Sequence, residues 1–157
     1  EIRLSLVGSE MCIRDRNIIA AIRKIQSQST SNPSSISQAA AVEALNGTQS
    51  FIKKRAKSFS DRRNFVVNYL NNIPGITCLM PKGAFYVFPS CKGLIGKKTK
   101  IKNDTDFVQK LLEKQNVAVV QGSAFGLDGY FRISYATSMQ KLKVAMERIK
   151  VFCKSLG

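Results

Sequence analysis

The stretch Val117-Ala-Val-Val-Gln-Gly-Ser-Ala-Phe-Gly126, followed closely by Phe131-Arg-Ile-Ser-Tyr-Ala136, decides the fold of this chain. The apolar run from Val117 to Val120 predicts a strand that leads into a turn with two glycines. The second stretch predicts another strand, in which a single arginine stands among apolar residues. Because successive side chains of a strand point to opposite faces, Arg132 shares a face with Ser134 while the apolar residues between them occupy the other face.

An arginine in an apolar strand is unusual, because its charge must be paired or must reach solvent. Its planar fork of donors suits bidentate binding of a carboxylate. Taken alone, Arg132 leaves two interpretations open. It either binds a carboxylate ligand, or it reaches a sheet edge or pairs with an internal acid.

The spacing of apolar residues elsewhere predicts helices around these strands. Helices are expected over 17–26, 36–45, 51–70, 104–115 and 139–153, and further short strands over 76–79 and 84–88. Asn103 or Asp104 is expected to cap the fourth helix. That helix is expected to bury Phe107, Val108, Leu111 and Leu112. Helices packed on a small sheet give an α/β or α+β fold.

Composition excludes several classes of site. The chain has 157 residues, the length of one ordinary domain, and contains no histidine. A Ser-His-Asp triad and a Cys-His nucleophile are therefore excluded in this chain, and no metal site is predicted. The four cysteines are too far apart for metal-ligand pairs and are typical of reduced thiols in a cytoplasmic protein. No stretch approaches the roughly 18 apolar residues that a membrane span requires.

The net charge of +15, from 25 Lys and Arg against 10 Asp and Glu, raises a nucleic-acid-binding module as an alternative. The basic residues are, however, scattered along helix faces and one lysine-rich loop at 92–102. No aromatic-studded strand pair or zinc-finger spacing accompanies them. A solvated basic surface is therefore the favoured interpretation.

Three segments resemble, in order, the class I pyridoxal-phosphate aminotransferases of the aspartate aminotransferase-like group. Gly122-Ser-Ala-Phe-Gly126 with the following Phe131-Arg-Ile-Ser-Tyr-Ala136 resembles the C-terminal signature of that family. Gln28-Ser-Thr-Ser-Asn-Pro33 and Ile36-Ser-Gln38 resemble the entry to its long interdomain helix. Pro81-Lys-Gly-Ala-Phe-Tyr86 resembles the first strand entry of its small domain.

The resemblance covers roughly residues 17–157 and implies the C-terminal part of a fold-type I transferase. Residues 17–35 would then be the tail of the large cofactor-binding domain with its loop. Residues 36–157 would be the interdomain helix and the α+β small domain, with helices packed on a short sheet. Residues 1–16 match nothing expected upstream and are predicted to be a non-native segment. Gln121 departs from the family's usual proline, which is expected to loosen the turn.

The same resemblance implies roles for four residues. Arg132 matches the arginine that binds the α-carboxylate of the amino-acid substrate. Phe85 resembles an aromatic residue that lines the substrate pocket, although an ordinary core phenylalanine would give the same pattern. Ser31 and Asn32 resemble a segment that approaches the cofactor site of the partner subunit in a homodimer, although a helix-capping loop explains them equally well.

The implied activity is transfer of an amino group between amino acids and 2-oxo acids through pyridoxal 5'-phosphate, most like aspartate aminotransferase. The Schiff-base lysine of the family lies in a Ser-x-x-Lys segment with a following Gly-x-Arg, which belongs upstream of Asn17, and no such combined segment occurs in this chain. No catalytic residue is therefore predicted here, and the chain alone is expected to be inactive. An aromatic or alanine aminotransferase, or a related lyase of the same fold, is the remaining alternative.

Overall fold

The computed structural model describes residues 16–30 and 33–156. It divides into two compact units, Glu1–Gln49 and Ser50–Gly157. The described part of the first unit consists of helices α1 (Arg16–Ser29) and α2 (Ser35–Asn46), neither of which contains a buried residue. Helix α2 ends at Asn46, and the backbone N–H of its C-cap residue Gly47 donates to the carbonyl of Glu43.

The second unit places three helices on a small sheet. The helices are α3 (Ser50–Asn71), α4 (Asp104–Gln115) and α5 (Met139–Lys154), and the strands are β1 (Tyr86–Val87), β2 (Val120–Gln121) and β3 (Phe131–Ser134). The sheet is antiparallel in the order β1-β3-β2, so the strand that carries Arg132 lies in the centre. This arrangement confirms the predicted class of helices packed on a short sheet.

The core lies between the inner face of the sheet and the helices. Phe107 of α4 is fully buried, with its ring centroid 5.1 Å from that of Phe131 and 5.3 Å from that of Phe152. Helix α5 buries one face, whose residues recur at spacings of three and four: Leu142, Met146, Ile149, Phe152 and Cys153. The inner face of β3 therefore joins two helices through aromatic contacts.

The predicted burial of residues on α4 is wrong in part, and α3 is buried unevenly. Leu112 is 48% exposed, because Phe107 and Leu111 already define the inward face of α4 and the next residue is turned by about 100°. The apolar stripe of α3 is fully buried only towards its C-terminus, at Val66, Val67 and Leu70, while Phe59 in its first half is half-buried against the core. Ile52, near the start of that helix, is 48% exposed.

The predicted strand at 76–79 is reduced to an isolated bridge between Thr77 and Ser90. The side-chain amide of Asn71 explains the difference, because it takes the place of a neighbouring strand. Its oxygen accepts from Cys78 N at 2.8 Å and its nitrogen donates to Cys78 O at 2.9 Å. Likewise, the strand predicted from Val117 forms its ladder only at Val120–Gln121.

Candidate functional site

Arg132 lies at the centre of the outer face of the sheet, opposite Val120 of β2. Tyr86 pairs with Ser134 on the other side, so its side chain shares that face. The guanidinium carbon of Arg132 is 4.5 Å from the ring centroid of Tyr86 and 4.4 Å from that of Phe125. Two aromatic rings thus flank one cation, and each such contact contributes about 0.5–2 kcal/mol.

The donors of this guanidinium have no internal partner in the part of the chain that the structure describes. The ion pairs within residues 16–30 and 33–156 involve lysines, and none includes Arg132. The aromatic rings offer electron-rich faces but no lone pairs in the plane of the fork. Arg132 is half-buried, which places a fixed, positively charged set of donors at the outer surface of the sheet.

The turn after β2 carries Phe125 and is held by a dense set of backbone hydrogen bonds. Gly122 N donates to Tyr130 O at 2.7 Å, and Leu127 N donates to Gly122 O at 3.1 Å. A Cβ on Gly122 would overlap the carbonyl oxygen of Leu127 and would lie 2.8 Å from Tyr130 Cβ. Gly126 then takes a left-handed φ of 73° and ends the turn. The backbone geometry of the turn therefore requires glycine at both Gly122 and Gly126.

Asp104, the first residue of α4, connects that helix to this turn. Its carboxylate is buried, 2% exposed, and accepts a hydrogen bond from Ser123 N at 2.8 Å. Desolvation acts to raise the pKa of this carboxyl, but hydrogen bonds from Ser123 and from the backbone N–H groups of Asp104 and Gly129 outweigh it. The pKa of Asp104 is therefore lowered, so the side chain is ionised at neutral pH. The predicted capping role falls to Asn103, whose side chain accepts from Asp106 N.

Phe85 is exposed rather than part of the core, and it contacts one of the rings that flank Arg132. Its side chain is 42% exposed, and its ring centroid is 4.3 Å from that of Tyr86, one of the two rings that flank Arg132. Its backbone carbonyl accepts from Tyr135 N at 2.9 Å, while the Tyr135 hydroxyl donates to Ala84 O at 2.7 Å. The segment that carries Phe85 is thus fixed to the end of β3.

The structure brings Arg132 and Phe85 into one neighbourhood, whereas Ser31 and Asn32 lie outside the described residues. Three further residues of this neighbourhood were not predicted: Tyr86, Phe125 and Asp104. Phe125 lies within the motif Gly122–Gly126, and Tyr86 ends the segment Pro81–Tyr86. Proximity in sequence to the predicted residues could therefore have assigned both to the candidate site. Nothing in the sequence links Asp104 to Ser123.

Gln121 precedes the turn with φ −63° and ψ 144°, a conformation that proline also adopts. Because Gly122 and Tyr130 form a hydrogen-bonded pair, the adjacent Gln121↔Phe131 pair is of the other type, and the N–H of Gln121 points away from β3. Gln121→Pro is therefore expected to stabilise the fold by about 0.4–1 kcal/mol, since it restricts the unfolded chain. Urea unfolding measures the change, with Gln121→Ala as control. A loss of stability relative to that control would show that the N–H is needed.

The described cysteines and acidic residues do not form a reactive or metal site. Cys78, Cys91 and Cys153 are buried free thiols, and burial raises the pKa of Cys91 and of Cys153 to about 12. They are therefore protonated at neutral pH and are poor nucleophiles. Within residues 16–30 and 33–156, no group of acidic or cysteine side chains is arranged to hold a metal ion. No helix in that part of the chain is long and apolar enough to cross a membrane.

A family model described as aminotransferase class I and II matches residues 5–149. The chain belongs to the class I and II aminotransferase family. It is 57% identical over 146 residues to the aspartate aminotransferase of Rhizobium meliloti. The aligned region covers 90% of this chain and 36% of that protein. The chain is 54% identical over 143 residues to a probable aspartate/prephenate aminotransferase of Rickettsia typhi, covering 88% of this chain and 36% of the relative.

Solved structures of this family share the fold. The crystal structure of the Rhizobium meliloti aspartate aminotransferase superposes with a TM-score of 0.84, covering 89% of this chain and 36% of that one. An alanine aminotransferase from Pyrococcus furiosus gives a TM-score of 0.78 at 32% identity, with 89% and 36% coverage. This aminotransferase chain thus spans about a third of the length of the relatives that it matches.

The family assignment implies pyridoxal 5'-phosphate as the cofactor of the full-length protein. The described lysines lie at the surface of the molecule. Every lysine is exposed except Lys110 and Lys150, which are half-buried on helix surfaces. Lys110 forms an ion pair with Asp106 at 3.0 Å. None of the described lysines is buried.

Proposed function

We propose that this chain is the substrate-carboxylate-binding part of an amino-acid:2-oxo-acid transaminase, most like aspartate aminotransferase. In the full-length protein, Arg132 would bind the α-carboxylate of the substrate. The observation that carries the proposal is the guanidinium held between the rings of Tyr86 and Phe125, with no carboxylate partner among the described residues.

Holding Arg132 in this position costs free energy. A half-buried guanidinium loses hydration, and its aromatic neighbours return only part of the lost free energy. A ligand carboxylate that accepts two parallel hydrogen bonds would supply the rest, since each charge-assisted bond contributes about 1.5–3 kcal/mol. Because the rings restrict the guanidinium plane, little side-chain entropy remains to be lost when the carboxylate binds.

Phe85 supports the same site as a residue that lines the substrate pocket. Its partial exposure beside Tyr86 leaves an apolar surface next to the positive charge. An amino-acid substrate presents this combination of features, a carboxylate and a carbon chain. The relatives named aspartate or aspartate/prephenate aminotransferases favour aspartate as the amino donor to be tested first.

The remaining features of the proposal concern the full-length protein. Residues 17–35 would end its large cofactor-binding domain, and residues 36–157 would form the interdomain helix and the small domain. Ser31 and Asn32 would approach the cofactor site of a partner subunit in a homodimer. The buried free thiols are compatible with a reducing cytoplasmic environment. The chain alone would be inactive, since it lacks the attachment lysine.

The test is a chimeric enzyme in which residues 17–157 replace the matching third of the Rhizobium meliloti aspartate aminotransferase. Amino transfer from aspartate to a 2-oxo acid is measured and compared with that of the unmodified relative. We expect kcat/KM within about tenfold of the relative, a difference of about 1.4 kcal/mol in the barrier. A chimera that unfolds cooperatively and binds the cofactor, yet transfers no amino group, would contradict the proposal.

A separate prediction concerns the isolated chain and pyridoxal phosphate. Because its lysines lie on the surface, reduction of the mixture with borohydride is expected to give weak labelling spread over several lysines. Peptide mass spectrometry locates the labelled residues, and the chimera provides the positive control. One stoichiometric adduct at a single lysine of the isolated chain would show that it has a cofactor site of its own.

A further inference from the structure

Two side chains at the start of α4 contact the turn that carries Phe125: Asp104, and Thr105, whose Oγ1 lies 3.5 Å from Ser123 Oγ. Asp104, at the start of α4, accepts a hydrogen bond from Ser123 N at 2.8 Å, and its carboxylate is 2% exposed. Ser123 lies two residues before Phe125 within the same short 3₁₀ turn. A buried, charged acceptor forms a stronger hydrogen bond than a neutral one, and its alternative, an unpaired buried charge, is costly.

This turn positions the ring of Phe125 against Arg132, the residue proposed to bind the substrate. The ring centroid of Phe125 is 4.4 Å from the guanidinium carbon of Arg132, yet the side chain is 49% exposed. Packing alone therefore restrains this ring weakly, and its position depends on the backbone of the turn. Phe88 contacts one edge of the ring, with a centroid separation of 5.9 Å, but it does not fix the backbone.

We infer that Asp104 is a positioning residue for substrate binding, which acts through Ser123 and Phe125 to hold the guanidinium fork of Arg132 in its carboxylate-binding orientation. This inference rests on the proposed function of Arg132. The contacts form a continuous series from the start of α4 to the centre of the sheet. Loss of the Asp104 anchor would let the turn shift and weaken the contact between Phe125 and the guanidinium of Arg132.

A matched control lies two residues further along the same helix. Asp106 also accepts a backbone hydrogen bond, from Lys102 N at 2.8 Å, and it pairs with Lys110 at 3.0 Å. These bonds tie the start of α4 to the preceding loop and do not reach the turn. Loss of either aspartate is expected to destabilise the helix start to a similar degree, whereas only Asp104 should influence Arg132.

The experiment uses the full-length chimera and measures the carboxylate selectivity. We define this quantity as kcat/KM for aspartate divided by kcat/KM for β-alanine, which is aspartate without its α-carboxylate. Asp104→Ala is expected to lower the carboxylate selectivity roughly tenfold, mainly through KM for aspartate, since small displacements of a binding group have effects of this size or larger. Asp104→Asn keeps an acceptor oxygen and is expected to fall in between, while Asp106→Ala should leave the selectivity unchanged.

A double-mutant cycle with Phe125→Ala tests the route of action, and it also serves if Asp104→Ala does not fold. If Asp104 acts through Phe125, Asp104→Asn should cause no further loss of carboxylate selectivity in the Phe125→Ala background. Independent, additive losses would overturn the inference. So would an Asp104→Ala enzyme with reduced thermal stability but unchanged selectivity, provided that Arg132→Lys lowers the selectivity in the same assay. If Arg132→Lys leaves it unchanged, the proposed function fails and the inference fails with it.

Discussion

Replacing Arg132 by lysine in the chimeric enzyme is expected to lower kcat/KM for aspartate on the order of 100-fold or more. Lysine keeps the positive charge but loses the planar fork, so the two parallel bonds to a carboxylate cannot form. It also loses the flat surface that lies between the rings of Tyr86 and Phe125. A misplaced substrate reacts slowly as well as binding weakly, so kcat should fall together with affinity.

Arg62 provides a matched control for this substitution. Its guanidinium carbon lies 5.3 Å from the ring centroid of Phe59, so it also makes a cation–π contact, but it belongs to α3 and not to the sheet. Arg62→Lys should leave kcat/KM within about twofold of the parent, as expected for a surface change worth less than about 0.5 kcal/mol. Equal losses in the two variants would assign Arg132 a structural role, and so would an Arg132→Lys enzyme that does not fold.

Phe107→Ala is expected to destabilise the chain by about 3–5 kcal/mol, the cost of removing a buried aromatic side chain and leaving a cavity. Phe107 is fully buried, and its ring contacts Phe131 and Phe152, which belong to β3 and α5. Its loss therefore separates the strand that carries Arg132 from both helices that support it. Urea unfolding followed by circular dichroism measures the change in the free energy of unfolding.

Leu112→Ala on the same helix is the matched control. Leu112 is 48% exposed, so its truncation removes little buried area and should cost well under about 1 kcal/mol. If Phe107→Ala and Leu112→Ala destabilised the chain equally, the inward face of α4 would be assigned incorrectly. The contrast therefore tests whether Leu112 lies outside the buried face of α4.

The sequence predicts the fold well where periodicity is long and local. Helix α5 shows its buried face in the spacing of Leu142, Met146 and Ile149, and each of these residues is buried. The short strands are harder to predict, because a partner rather than the sequence decides whether an apolar run forms a ladder. The residues at 76–79 form no strand because the amide of Asn71 satisfies the backbone of Cys78.

In the candidate site, too, local features could be predicted from the sequence, whereas contacts between distant segments could not. Alternation along β3 predicts that Arg132 faces away from Phe131, and the structure agrees. Tyr86 could not be assigned to Arg132 from sequence, since their contact depends on the register of β1 against β3. The hydrogen bond from Ser123 to Asp104 also joins distant segments, and capping preference alone does not distinguish Asp104 from Asn103.

The carboxylate selectivity of the chimera, compared between the parent, Arg132→Lys and Arg62→Lys, measures whether Arg132 binds the substrate α-carboxylate. If Arg132 binds the substrate α-carboxylate, Arg132→Lys should lower the selectivity on the order of 100-fold or more, because β-alanine does not use the guanidinium fork in this way. Arg62→Lys should leave the selectivity unchanged. Equal losses of kcat/KM for aspartate and β-alanine in Arg132→Lys would contradict the account.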